Sequence, residues 1–426
     1  MIVMVIGAGI GGLTAALSLN AAGFDVRIYE SSADIKAIGF GINLQPNAVR
    51  ELIELGLGDA LAATAIETAE LTYYSKLGQL IWSEPRGRAA GYAWPQYAID
   101  RGDLQMILLD AVKERIGARN VLTGHHLASF EQDGSGVTAR FIDRKSGQHL
   151  LSGRGDVLIG CDGIHSAVRV RLYPGEGPPM VTGRIQWRGV LEAEPFLDGR
   201  THATIGFSGQ QGVAYPISRK AAGRGYSRIS WVLSVFDRQF ASSRHTNWGR
   251  KVPNERVFER FKNWNFSWLN FADLICRTDE VYEYHEVDRD PLTRWSFGQV
   301  TLLGDAAHPM RSTGAQAGSQ AIVDARVLAF MLAEASAPER GLEQYEAQRR
   351  PIMNAVTLRN REFGPAIAME LVEQRAPQGF DNIEEVITRR ELEQISLAYK
   401  EEAGFDPTAL NQRPSLTVRR AVPLAG

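Results

Sequence analysis

Cysteine is scarce. The 426-residue chain has two, Cys161 and Cys276, far apart and in no CxxC pattern. That excludes a disulfide scaffold and fits a reducing compartment, so the cytoplasm is the expected location. A surplus of either charge is also missing: 47 Lys and Arg face 49 Asp and Glu, a net charge of −2. No basic field is available to recruit nucleic acid or anionic lipid. No apolar run reaches the roughly 18 residues of a membrane span. Met1 to Ala22 is apolar but has no basic leading segment and runs into a glycine turn, so it is not read as a signal peptide. The eight histidines form no HExxH or Cys/His cluster, so no metal is expected. No GxSxG supports a hydrolase. Short-period repeats and low-complexity segments are absent as well.

What is present is ordinary in bulk, 44% hydrophobic and 23% charged, and long enough for two or three domains. One stretch stands out. Met1 to Glu30 reads as strand, tight glycine turn, helix, strand, acid, with the turn written Gly7-Ala8-Gly9-Ile10-Gly11-Gly12. Gly7 permits the sharp turn, Gly9 lets backbone approach a pyrophosphate, and Gly12 lets the helix pack close to the strand. Glu30 falls where a carboxylate can accept bonds from a ribose. A dinucleotide site is expected, with NAD and FAD not distinguished by this motif.

Further along, Gly39 to Asn47 marks a glycine loop that approaches something closely, with Asn47 as the cap of a helix over 48–55. Residues 71–75 and 80–83 read as a hairpin, and Leu104 to Ile116 as a helix capped by Asp103. Arg101, just before it, has the look of a surface ion pair. Strands are expected over 127–130, 137–142 and 156–160, the last running into Asp162; a helix follows over 166–172. Asp162 is either a helix cap or a ligand contact at the sheet's carboxyl edge. From Met180 an antiparallel block without interleaved helices begins: 184–192, 202–208, 213–216 and 227–236. Val300 to Leu303 is another parallel-type strand, ending at Gly304-Asp305. Helices are expected after Gln316, over 339–360 and over 384–402. No signal is read in the tail after Pro407.

Three acids thus close short apolar strands: Glu30, Asp162 and Asp305. With GAGIGG, they sit in CDGIHSAVR (Cys161–Arg169) and LLGDAAHPM (Leu302–Met310). This set resembles the single-component FAD-dependent aromatic hydroxylases of the para-hydroxybenzoate hydroxylase fold. The similarity is closest to the phenazine-pathway branch, typified by 5-methylphenazine-1-carboxylate 1-monooxygenase, in stretches such as 82–87, 187–190 and 287–292. The implied fold is α/β, a Rossmann-like FAD domain (1–70, 98–178 and 286–340) with an inserted, mostly antiparallel substrate sheet (71–97 and 179–285) and a C-terminal helical region (341–426).

The resemblance also implies roles. Gly7, Gly9, Ile10, Gly11 and Gly12 would hold the FAD pyrophosphate and Glu30 the adenosine ribose. Backbone near Leu127 would meet the adenine. Gly41 and Ile42 would lie by the flavin, Arg101 at its phosphate or ribityl chain, and Asp162 near both FAD and a visiting NADH or NADPH. Gly304 and Asp305 would bind the ribityl chain, and Gly314, Ala317 and Gly318 would cover the ring. Trp187, Arg188, Tyr215, Pro309 and Met310 would form the substrate pocket. The implied reaction uses NAD(P)H and O₂, by way of a flavin C4a-hydroperoxide, to hydroxylate an aromatic or heteroaromatic ring, with or without loss of CO₂, in a monomer or homodimer. The loop Ser312 to Gly318 departs from the family pattern, with Ser312, Gln316 and Ala317 where Pro, Asn and Gly are expected. An FAD reductase or oxidase without oxygen insertion, or a flavin-bound sensor, stays open beside the hydroxylase.

Overall fold

The computed structural model describes residues 1–37, 39–237 and 248–418. Five parallel strands form its centre in the order Val300–Leu302, Val157–Gly160, Ile2–Ile6, Asp25–Tyr29 and Val121–Leu122. Val157–Gly160 and Ile2–Ile6 are near-continuous apolar runs because both faces of a parallel sheet are covered there, whereas Asp25–Tyr29 alternates, with Asp25 and Arg27 exposed. Helices Ile10–Ala21 and Ala317–Glu334 lie against each other beside it. A small antiparallel sheet, Gly153–Gly155, Val137–Ile142 and His126–Gln132, adjoins the core; Tyr29 stacks on Phe141 at 4.2 Å.

The second body is an eight-stranded sheet in the order Trp248–Val252, Val281–Asp288, Met180–Ala193, Ser227–Phe236, Gln210–Pro216, Thr201–Phe207, Glu70–Tyr74 and Leu80–Pro85. All pairs are antiparallel except Thr201–Phe207 with Glu70–Tyr74, which is parallel. Its back face packs around Trp187, Trp231, Phe261 and Phe271. The block is not helix-free as the sequence suggests: Arg219–Ala222, Asn254–Phe261 and Phe271–Arg277 punctuate it, and the last two contribute to that core.

Several boundaries differ from the sequence reading, each for a local reason. Pro46 starts its helix at N1, so Asn47 is buried inside the first turn rather than capping it. Asp100, not Asp103, caps the helix Arg101–Val112 by accepting from the Gly102 amide at 2.8 Å; the chain then widens into a π turn at Lys113–Gly117. The last long helix starts at Arg389, where Thr388 caps it, and a separate turn occupies Ile383–Glu385. Asp406 caps a further helix, Pro407–Gln412. These C-terminal elements are structural walls. Leu342, Tyr345, Tyr399, Phe405 and Leu410 complete the Rossmann-side core, and Met369, Val372 and Leu392 pack on Tyr73 and Ile81 at the far end of the large sheet.

Candidate active site

The glycine turn is shaped by two different constraints. Gly7 has φ of 104°, and a Cβ there would lie 2.5 Å from the Cys161 carbonyl oxygen; a Cβ on Gly12 would lie 2.0 Å from the Gly7 carbonyl oxygen. Both glycines are required by the protein itself. Gly9 is different. Its backbone is extended, φ −74° and ψ −177°, and a Cβ would meet no heavy atom within 4 Å. Nothing in the fold requires glycine at that position, whereas a pyrophosphate approaching the helix N-terminus does. Gly11 packs toward Leu303 and Ala321, and Ile10 is buried. The Glu30 carboxylate is fixed by the amides of Ala8 and Ser32, each 2.8 Å away. Backbone at Leu122 and His125 bonds to Glu30, so this segment is its neighbour; the Leu127 side chain is in the core and its backbone pairs with Phe141.

The two distant acids come to the same sheet edge. Asp162 is both a turn-former and an open acceptor: Oδ2 takes the Ala167 amide at 2.6 Å, while Oδ1 has no partner. Burial raises its pKa, and bonds from Ser166 and Ala167 oppose that. Asp305 sits on the turn Gly304–Ala306 with its side chain exposed, yet enough protein surrounds it to raise its pKa, with His308 and Arg101 pulling the other way. An acid that is deep in protein mass and still accessible lines a recess. The motif arginine Arg169, fully buried, donates to the carbonyls of Ala306 and Ala307 at 3.1 and 3.2 Å, so the CDG segment holds the GD turn in place.

Gly41, Ile42, Arg101 and the whole loop Ser312–Gly318 line a cavity of about 320 Å³ against the large sheet. Gly41 is in a strand, not a loop, and what it approaches is Tyr215: a Cβ there would lie 2.4 Å from the Tyr215 ring. The Tyr215 hydroxyl donates to the Gly41 carbonyl at 2.7 Å, and burial pushes its pKa up to about 12. In the loop, Gly314 has φ of 88° and Ala315 φ of 51°, and a Cβ on Gly314 would strike the Tyr399 hydroxyl at 2.1 Å. Ser312, at the altered position, accepts from the Gln186 amide at 3.0 Å, and Gln186 in turn accepts from Arg188 at 2.9 Å.

Arg188 lines the cavity beneath the Tyr284 ring, 5.2 Å from its centre. Burial lowers its pKa, but guanidinium stays charged. Its Nε has no partner, and no ion pair to it exists among the described residues. The walls carry other unpartnered polar atoms: Asn43 Oδ1, Gln45 Oε1, Gln96 Oε1 and Gln316 Nε2. Buried polar groups left this way call for a polar ligand.

Three expectations are corrected here. Trp187 does not line the cavity. Strand alternation turns it to the opposite face, where it is fully buried and donates to Glu283 at 2.9 Å. Pro309 and Met310 do not line it either; Pro309 is buried, and Met310 packs on the Rossmann-side core. The residues overlooked are Gln186, His202, Arg86, Tyr399 and Lys400, all on the walls. Period-two alternation around Trp187 could have pointed to Gln186; nothing local marks the others. Beneath the loop lies a further buried network: Asp324 accepts from Arg349 at 2.6 Å and pairs with His308 at 2.5 Å.

The FAD binding domain family matches residues 1–360. The chain belongs to that family. Phenazine 1,6-dicarboxylic acid hydroxylase PhzS of Lysobacter antibioticus is 45% identical over 363 residues, 84% of this chain and 89% of the relative. 3-Hydroxybenzoate 6-hydroxylase 1 of Aquipseudomonas alcaligenes is 32% identical, covering 82% and 84%. The fold matches Klebsiella pneumoniae HpxO complexed with FAD and uric acid, with a TM-score of 0.73 at 24% identity over 93% of this chain and 97% of that one. This member of the FAD binding domain family is an FAD-dependent aromatic monooxygenase, and NAD(P)H is the co-substrate typical of the group. Its residues fit the cofactor: open backbone at Gly9, a fixed acceptor at Glu30 and a recessed carboxylate at Asp305.

Proposed function

We propose that this flavoprotein hydroxylates a flat, carboxylated heteroaromatic or aromatic ring of phenazine or benzoate type, with Arg188 holding the carboxylate. The observation that carries this reading is the half-buried Arg188 guanidinium, its Nε out of water and unpartnered, lining the cavity with no ion pair among the described residues. Removing a guanidinium from water costs several kcal/mol unless an anion or a set of acceptors meets it, so the position favours anionic ligands.

The remaining roles follow from position. The backbone at Gly7, Gly9 and Gly12 holds the FAD pyrophosphate, and Glu30 the ribose. Arg101, Gly304 and Asp305 hold the middle of the cofactor, with Asp162 Oδ1 as an acceptor near the edge where a nicotinamide passes. Backbone of Ile42 and of Gly314, Ala317 and Gly318 flanks the flavin ring. Bound FAD supplies reduction by NAD(P)H and activation of O₂. The protein's own part is to orient the ring against the loop, exclude water and hold charge. Tyr215 serves as a fixed wall, because its proton is committed to Gly41 and its pKa is high. Arg188 favours the anionic form of a ring hydroxyl as well as a carboxylate. We place the enzyme in the cytoplasm as a monomer or homodimer, a setting that supplies NAD(P)H and suits two free thiols.

The test is substrate-stimulated NAD(P)H oxidation under ¹⁸O₂, using phenazine and hydroxybenzoate carboxylates. Incorporation of one labelled oxygen per NAD(P)H supports the reading, and CO₂ release shows whether the carboxylate is displaced. Peroxide as the sole product with every ring would refute it in favour of an oxidase.

A further inference from the structure

A second charged cluster shares the cavity wall. Glu84 is buried, and three groups converge on it: Arg86 Nη2 at 2.9 Å, Ser396 Oγ at 2.7 Å, and the Lys400 ammonium in a short contact. Arg86, Ser396 and Lys400 all line the cavity. Two cations around one carboxylate leave a net charge of +1, largely out of water. Lys400 and Ser396 share Glu84 Oε1 and tie the C-terminal helix to the sheet, while Arg86 takes Oε2 through Nη2 alone. Arg86 has the rest of its guanidinium left over. Among the described residues its guanidinium has no ion-pair or hydrogen-bond partner except Glu84, and its Nε is buried with none. Its other neighbours are neutral: Tyr73, Tyr92 and His202.

This cluster is separate from Arg188. Arg188 is on the strand Met180–Ala193, and Arg86 follows the strand Leu80–Pro85, with four strands between them in the sheet. Five inter-strand steps of about 4.8 Å, with the offset along the sheet from Trp82, which is level with Arg188, to Arg86, put the two backbones roughly 27 Å apart, so arginines extended toward each other would bracket a gap on the order of 15 Å. That is a span suited to a fused-ring acid with an anionic group at each end.

We propose that Arg86 and Lys400, gathered by Glu84, form a second anion subsite that makes the enzyme select dianionic fused-ring substrates, one anionic group at Arg188 and the other here. The proposal rests on the aromatic-hydroxylase reading above. Glu84 sets the geometry and keeps the subsite from being a bare double charge. Ser396 and Lys400 place it on the helix Arg389–Glu402, so substrate selection and closure of the cavity by that helix are one contact.

The experiment compares phenazine-1-carboxylate with phenazine-1,6-dicarboxylate on FAD-loaded enzyme. Affinity is read by equilibrium dialysis, and hydroxylation by product analysis. Wild type should prefer the dicarboxylate by at least 30-fold. Arg86→Gln should erase most of that preference while changing monocarboxylate affinity less than 3-fold. Lys400→Gln should act in the same direction and covers the case in which Arg86→Gln fails to retain flavin. Equal losses for both probes would mean the cluster is only scaffold, and an unchanged preference, or none in wild type, would overturn the subsite. Hydroxylation that fails while selective binding persists would instead sink the functional reading alone.

Discussion

The contrast between Gly9 and Gly12 gives a two-sided test of the cofactor site. Consider Gly→Ala at each. At Gly12 the added methyl meets the Gly7 carbonyl oxygen at 2.0 Å and the Cys161 side chain at 3.3 Å. Backbone of a turn pinned on both sides cannot move away cheaply, so the cost belongs at the upper end of overpacking, about 3 kcal/mol. Unfolding entropy of about 2.1 cal/mol/K per residue makes that a fall in Tm of about 3 °C for a chain of 426 residues. Gly12→Ala should therefore lose stability without FAD present. At Gly9 the methyl meets no heavy atom, and its extended backbone suits alanine. Apo stability should change by less than about 1 kcal/mol, the scale of an N-cap replacement. FAD affinity should nonetheless fall at least a hundred-fold, about 2.7 kcal/mol, because the methyl stands where the phosphates approach. Calorimetric melting of the apoproteins and titration with FAD read the two effects separately. If Gly9→Ala binds FAD like wild type, the pyrophosphate does not lie over Gly9. If apo Gly12→Ala melts with wild type, the turn is looser than its geometry states.

Asp305→Ala should purify with little flavin, read from the ratio of 450 nm to 280 nm absorbance; full occupancy would remove Asp305 from the ribityl site. Arg188→Gln should retain FAD but raise KM for a carboxylated ring roughly 30-fold, as expected for losing a charge-assisted bond of about 2 kcal/mol; an unchanged KM would assign the carboxylate elsewhere. His202 is a pH probe. Burial, with Arg86 nearby, pushes its pKa down to about 3, against about 6.5 when unfolded. The unfolded state therefore binds more protons between those values, so stability is full above pH 6.5 and is lost as pH falls, by up to about 1.4 kcal/mol per unit. His202→Gln should flatten urea-unfolding midpoints between pH 7 and 5, and an identical slope in the variant would show the ring is not held neutral by the fold.

The candidate cofactor residues were legible as a set because their pattern is local. Gly7, Gly9, Gly12 and Glu30 lie within one βαβ unit, and Asp162 and Asp305 each close a short apolar strand. Arg188 was legible as a charge on a strand, but Trp187 beside it was assigned to the pocket, although adjacent strand residues face opposite ways and only one of the two can point inward. Motif position puts Pro309 and Met310 at the pocket, whereas in this segment the cavity lining begins at Ser312. The wall built by Arg86, Tyr399 and Lys400 was not legible at all. It joins Glu84 to Lys400, more than 300 positions apart, and Gly314 to Tyr399 across three intervening helices, and no periodicity spans such distances. Helix starts failed where two polar residues competed for one cap, as with Asp100 and Asp103.

The backing of Gly314 by Tyr399 has a consequence for how the enzyme is made. The glycine turn at Gly7 leaves the ribosome well before its sheet neighbours Val157–Gly160 and Val300–Leu302. Tyr399, against which the flavin loop is seated, follows later still. At roughly 5–20 residues per second the interval between Gly7 and Tyr399 is on the order of 20–80 seconds. On the proposed placement of the cofactor, the two ends of its site are thus completed at different times, and flavin that arrives early would find only the grip for its AMP half.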